Sequence, residues 1–445
     1  MTGRFDPTAV GVFAFTHRHL DASGLVRLGY ALDDIAFEER IQLPVPEGGV
    51  HVRAAEPLLD LLHWVAGVSY FKAAIPPRLD LGERRPGPAT AALLEALYRD
   101  GLGEFAVVND LPQLPSPTFP SAPSGVAGPA ATEVHRVLVP VGGGKDSAVA
   151  LELVRASGLP FALFSVGDAP PIRGTAEVAG VPRLVARRTL DPALLELNRH
   201  GALNGHIPIT AIVTCIALLT AAINGFDTVA MANERSASAG NVAWHEVEVN
   251  HQFSKSLRAE RLMAAALAER ASGMRAVSVL RPASELAIAR AFARLPRYHP
   301  VFTSCNRVFH IDPAVRRGTW CADCDKCRFV FLILAPFLSP EALRGIFGAD
   351  MLDQPDQYAG FAQLTATGGH KPFECVGEVE ESVAAIRMIA ARPEWRDHRV
   401  VARLAAEVLP RFGPHDGDPA RILPLSDDHL VPEELMGAVR ALLGS

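Results

Sequence analysis

The stretch "LVPVGGGKDSAVALELV", residues 138–154, decides how the rest of the chain is read. A short apolar run ends in three glycines, and a lysine, an aspartate and a serine then open an amphipathic segment. A strand that passes through glycines into a helix leaves several backbone N–H groups aimed at one point, where the helix dipole adds partial positive charge. Glycine also removes the side chains that would keep an anion away. Lys145 adds a full charge and Ser147 a hydroxyl donor in the first helical turn. A plain strand-to-helix turn needs fewer of these features, so the pattern predicts a phosphate-binding loop.

Neither of the two commonest phosphate loops fits. Walker A requires G-x-x-x-x-G-K-[ST], whereas Val139 stands five residues before Gly144 and Asp146 follows Lys145. The dinucleotide fingerprint lacks its third glycine at the required spacing. The stretch instead resembles the S-G-G-x-D-S loop of the PP-loop ATP pyrophosphatase superfamily, matched by Gly143, Gly144, Lys145, Asp146 and Ser147, with Gly142 in place of the first serine. That resemblance implies a HUP-like α/β fold and cleavage of ATP between its α- and β-phosphates. It also implies that the amides of Gly142, Gly143 and Gly144, together with Ser147, meet the departing phosphates. Asp146 would lie near the metal–phosphate assembly, an arrangement that makes sense with Mg²⁺ between the two anions.

The surrounding pattern is that of a parallel sheet. Strands are expected at 136–141, 161–166, 183–189 and 227–232, with helices at 147–157 and 209–223. Apolar strands alternating with helices imply a sheet covered on both faces, with ligands beyond the carboxyl ends of its strands. Both "GGGKDS" and "NERS" (233–236) fall at such ends, which makes Asn233 and Glu234 further nucleotide-binding candidates. Residues 111–130, "LPQLPSPTFPSAPSGVAGPA", have linker composition. They divide a small α+β N-terminal domain, 1–125, from the ATP-binding domain, 131–335. Within the first, 25–43 reads as a strand pair and 58–74 as helix. Residues 336–445 read as a helical region.

Bulk properties narrow the function. The 445 residues are 49% apolar and 21% charged with a net charge of −6, which argues against a protein that coats nucleic acid. No basic segment followed by a long apolar one opens the chain, so no signal peptide is read. The longest apolar run, 207–226, is interrupted by Pro208, Asn224 and Gly225, which leaves about fifteen usable residues, short for a bilayer. A helix buried against the sheet, no membrane insertion and a cytoplasmic location are expected.

Six cysteines in a chain of this length do not form a disulfide scaffold. Cys305, Cys321, Cys324 and Cys327 form a C-x15-C-x2-C-x2-C array. All-sulfur ligation points to structural zinc or, second, an iron–sulfur cluster. The array is similar to that of 7-cyano-7-deazaguanine synthases, although their first gap is shorter. Cys215 reads as a small core residue. Cys375 lies in a polar segment, "GGHKPFECVGEVEE" (368–381), suited to chemistry.

Several segments together, "GGGKDSAVALEL", "GALNGHIPITAI" (201–212), "ANERSASAGN" (232–241), "VNHQFSKSLRAE" (249–260) and "HKPFECVGE" (370–378), resemble the UDP-N-acetyl-muramoyl-L-alanyl-L-glutamate epimerases of bacterial wall synthesis. The resemblance spans essentially the whole chain. It implies ATP, Mg²⁺ and water as co-reactants, with the terminal L-Glu of UDP-MurNAc-L-Ala-L-Glu becoming D-Glu while AMP and diphosphate are released. The chemistry is reasonable. Removing a Cα proton beside an ionised carboxylate would create a dianion, whereas esterification with AMP removes that charge and lets an enolate form. Side chains with tunable pKa values are then needed. His206, His251, Lys255, His370 and Cys375 are the candidates, Lys255 alternatively holding phosphate. Arg187, Arg188, Arg316 and Arg317 are candidates for the substrate's diphosphate, with solvated surface charge the ordinary reading. The competing expectations are a PP-loop RNA- or nucleobase-modifying enzyme (thiolation or nitrile synthesis), which the acidic charge disfavours, and a nucleotide sensor without turnover.

Overall fold

A computed structural model describes residues 4–47, 49, 52–123, 133–240, 242–245, 247–309, 314–367, 371–372 and 374–444. Its strands are β1 (Val12–Leu20), β2 (Leu25–Leu32), β3 (Ile35–Gln42), β4 (Arg78–Asp80), β5 (Val137–Pro140), β6 (Phe161–Val166), β7 (Arg183–Thr189), β8 (Thr228–Met231), β9 (Val242–Trp244), β10 (Val247–Val249) and β11 (Arg275–Ser278). Nine of them make one sheet in the order β11-β8-β5-β6-β7-β3-β2-β1-β4, and β9 and β10 pair as a separate hairpin. The stretch from β11 to β7 is parallel throughout, as the alternation of strands and helices predicted. The fold is therefore α/β, with a large and mostly parallel central sheet.

Residues 25–42 form the expected strand pair, β2 and β3. These strands do not stand apart from the rest. β3 pairs antiparallel with β7 through Arg40↔Thr189, Ile41↔Arg188 and Gln42↔Arg187, so the sheet continues across the boundary placed at 111–130. Beyond β11 the regular elements are helical among the described residues.

The strand pleat sorts residues between two cores. Val137, Val139, Leu163, Ala230 and Val277 face one; Leu138, Ala162, Phe164, Val229 and Ala276 face the other. This period of two, apolar on both sides, is what a fully covered sheet requires. The first core is closed by helices Lys145–Ser157, Glu285–Ala293, Asp325–Leu334, Val379–Ala390 and Glu433–Leu443. Helices Val52–Ala66, Pro88–Arg99, Ile209–Ile223 and Leu257–Arg270 close the second. The apolar helix Ile209–Ile223 is thus buried against the sheet, and among the described residues no helix is long and apolar enough to cross a membrane.

Strand order fixes where a ligand can enter. From β5 the chain proceeds outward to β6 and β7, then returns to place β8 on the other flank of β5. The two crossovers lie on opposite faces and leave a crevice beyond the carboxyl ends of β5 and β8.

Candidate active site

The glycine loop sits at that crevice, between β5 and helix Lys145–Ser157. Gly143 has φ +84°, and a Cβ there would lie 2.7 Å from Pro171; one on Gly144 would lie 2.6 Å from Ser304 Oγ. Backbone conformation and contact with the Pro171–Ile172 backbone therefore require glycine at 143, whereas at 144 only the Ser304 hydroxyl would have to move. Gly142 differs, because a Cβ on it would meet nothing within 4 Å. It lines an open cleft of about 420 Å³ with Gly144, Asp146, Ser147, Asn233, Lys255, Lys326 and Cys375. No side chain caps the helix N-terminus, and Ser147 Oγ donates to the Gly144 carbonyl at 2.9 Å. Free first-turn N–H groups beside bare backbone form an environment suited to an anion.

The other nucleotide-binding candidates divide. Asn233 lines the cleft and donates from Nδ2 to Ser278 Oγ at 2.9 Å. Glu234 is buried, and its carbonyl accepts from Arg281. Lys145 is 1% exposed and turns inward, with Nζ donating to Glu285 and Asp146. The cations that line the cleft are Lys255 and Lys326. Burial pushes the Asp146 carboxyl up, but the Lys145 and Lys326 charges hold it below the usual value.

The proton-transfer candidates come from distant parts of the chain. Helix Gly103–Val108 carries Glu104, the segment after β10 carries His251, and the segment before helix Val379–Ala390 carries Cys375. His251 Nδ1 bonds Glu104 Oε2, while its Nε2 is 3.7 Å from Cys375 Sγ. Lys255 Nζ lies 3.4 Å from the same sulfur, and Lys326 Nζ donates to the Cys375 carbonyl.

Electrostatics makes this a thiolate–imidazolium pair. Burial would raise the Cys375 thiol, but the Lys255 charge and the His251 hydrogen bond bring it down to about 6. Burial would lower His251, yet its hydrogen bonds to Cys375 and Glu104 raise it to about 9. His206 stacks on His251 with ring centroids 4.4 Å apart and has Nδ1 3.7 Å from Glu104 Oε2. Burial and the His251 charge push it down to about 4, so it is neutral. Glu104, His206 and His251 also lie close enough to share one cation. His370 lies outside the described residues.

Sequence reasoning missed Glu104 and Lys326. The former is a lone acid in the apolar "GLGEFAVV" (101–108), which was a signal; the latter was hidden inside the cysteine motif. The proposed diphosphate arginines do not reach the cleft. Arg188 forks onto buried Glu39 at 2.7 and 2.9 Å, while Arg187, Arg316 and Arg317 are exposed elsewhere. Cys215 is buried in the core, as expected.

Cys305, Cys321, Cys324 and Cys327 converge into a group that could hold a metal, with Sγ–Sγ separations of 3.4 Å for Cys324–Cys327 and 3.6 Å for Cys321–Cys327. Four sulfurs at zinc–sulfur bond length on a tetrahedron stand about 3.8 Å apart. The cluster abuts the glycine loop, since Thr303 N donates to Gly143 O at 2.9 Å.

Two family models match this chain: the MurL N-terminal domain over residues 4–277 and the MurL C-terminal domain over residues 301–416. The chain belongs to the MurL family. It is 41% identical to the UDP-N-acetyl-alpha-D-muramoyl-L-alanyl-L-glutamate epimerase of Xanthomonas oryzae pv. oryzae, over 98% of either chain. The Micromonospora protein of the same name is 47% identical, covering 89% of this chain and 90% of its own. The Salinispora tropica one is 46% identical over 88% of each. No solved structure matches. Both matched stretches contribute to the cleft, the first with Gly142, Gly144, Ser147 and Lys255, the second with Lys326 and Cys375.

Proposed function

We propose that this protein is the ATP-dependent epimerase that converts the terminal L-Glu of UDP-MurNAc-L-Ala-L-Glu to D-Glu through an acyl-adenylate, releasing AMP and diphosphate. The observation that carries the reading is that the Glu104–His251–Cys375 relay opens into the same cleft as the glycine loop. Activation and proton removal then occur on one bound glutamate.

The loop residues Gly142, Gly144 and Ser147 receive phosphate oxygens, and Asp146 is the carboxylate available to a Mg²⁺ ion, whose contribution is to neutralise phosphate charge. Lys255 and Lys326 add positive charge where the glutamyl carboxylate attacks. Once that carboxylate is an AMP ester, its Cα proton is acidic enough for a thiolate. Cys375 Sγ takes the proton and becomes a neutral thiol, the C–H electrons move onto the ester carbonyl as an enolate, and the positive charge of the His251 imidazolium and Lys255, which faced the thiolate, then faces the enolate. A second acid on the opposite face gives its proton to the enolate carbon and inverts the centre, and water releases AMP. Glu104 fixes which His251 nitrogen faces the sulfur. The four cysteines suit structural zinc, because a closed all-thiolate set leaves no position for water.

Chiral analysis of product glutamate with and without ATP tests the reading. Inversion that needs ATP, releases AMP and incorporates solvent deuterium at Cα is expected. Inversion without ATP, or ATP-dependent inversion without deuterium, refutes it.

A further inference from the structure

A second cleft, of about 510 Å³, lies beside the first and is lined by five arginines and three acids. Residues 250–258 contribute to both, with Lys255 facing the glycine loop and Phe253 and Arg258 facing the second cleft. Buried Arg281 supports the shared wall by donating to the carbonyls of Lys255 and Glu234, and Glu260 holds it at 3.1 Å.

Of the other four, Arg99, Arg258 and Arg235 each lack an acid of their own at ion-pair distance among the described residues. Arg99 and Arg258 share one acid, Asp100, at 3.6 and 2.8 Å. Arg235 gives its guanidinium to the backbone carbonyls of Pro424 and Ile422, at 3.1 and 2.8 Å. Arg261 pairs with Asp428, while Glu248 is the third acid on the lining. An arginine surplus in a chain of net charge −6 marks an anion site. Arginine's fork suits phosphate oxygens in particular. Phe253 and Val249, both buried, back the cleft, and the Arg258 guanidinium lies over the Phe253 ring at 5.5 Å.

We propose that this cleft binds the nucleoside diphosphate of the sugar-nucleotide substrate, with Arg258 and Arg235 on the phosphates. The sugar and peptide then cross residues 250–258 to bring the glutamate to Cys375. The proposal rests on the epimerase reading above, but its test does not require turnover.

Calorimetric titration of the full chain with UDP provides that test. UDP should bind the wild type, and Arg258→Gln and Arg235→Gln should each weaken it by about tenfold or more, the effect of losing a charge-assisted bond. The Arg258 side chain is 63% exposed, so its substitution leaves the fold intact. Cys375→Ser should bind UDP as the wild type does, and saturating ATP should not displace UDP. No UDP binding by the wild type, unchanged affinity in both arginine variants, or displacement by ATP overturns the assignment. A chain that binds UDP through these arginines yet inverts no glutamate upholds the assignment and refutes the epimerase reading alone.

Discussion

Replacing Glu104 with glutamine removes the negative charge behind His251 while keeping the shape of the side chain. In the native protein His251 stands at about 9 because hydrogen bonds to Cys375 and Glu104 outweigh burial, and Cys375 stands at about 6. The thiolate–imidazolium pair therefore exists between those values: above the lower one the thiol has lost its proton, and below the upper one the imidazole keeps its own. A hydrogen bond to a charged group contributes about 1.5–3 kcal/mol, and one pKa unit corresponds to about 1.4 kcal/mol. Loss of the carboxylate should thus lower His251 by about one to two units and move the alkaline limb of kcat/KM to about pH 7–8. The acid limb, set mainly by Lys255 acting on Cys375, should move less. Chiral assays from about pH 5 to about pH 10 would trace both limbs. Mass-spectrometric measurement of Cys375 alkylation over the same range follows the thiolate without turnover. An alkaline limb that stays in place refutes the relay. So does a metal ion, beyond that of the cysteine cluster, that elemental analysis finds in the wild type and that Glu104→Gln loses, because Glu104, His206 and His251 would then be holding a cation.

Lys145→Met should cost about 3–5 kcal/mol in urea unfolding, the penalty for leaving the buried Glu285 without its partner; a variant of native stability with only a raised KM for ATP would return Lys145 to the phosphates. Cys324→Ser should lose about one metal ion per chain by elemental analysis and yield less soluble protein. Burial holds His63 down at about 3, although its Nε2 is 2.9 Å from the Gly29 carbonyl, so the folded form stays neutral where the unfolded chain takes up a proton. The stability it contributes is present above about pH 6.5 and is lost as pH falls, by at most about 1.4 kcal/mol per pH unit. His63→Gln should flatten that slope in thermal melts between about pH 6.5 and about pH 4.

The parallel part of the sheet was legible because its signals are local. Apolar strands, glycine stops and helix periodicity located β5, β6, β7 and β8 and helix Ile209–Ile223 to within one or two residues. The cysteine cluster was legible from spacing alone. The join of β3 to β7 was not, since antiparallel pairing between residues some 150 positions apart leaves no mark in either strand. Lys145 was read as a phosphate ligand because its neighbours define the loop, but the first turn of the helix carries its side chain toward Glu285, whose position only the tertiary structure fixes. His206, His251, Lys255 and Cys375 could be selected by residue type. The meeting of the two histidines on Glu104 could not, because the acid lies on the far side of the proline-rich segment 111–123.

The β3–β7 seam means that the proline-rich stretch is no place to cut. A fragment starting at residue 133 would leave the backbone of β7 as an unpaired rim and uncover apolar surface that helices Val52–Ala66 and Pro88–Arg99 normally seal, both invitations to clumping. It would also lose Glu104. Each half therefore needs the other as a folding template, and the two pieces expressed separately should become soluble and competent only when mixed.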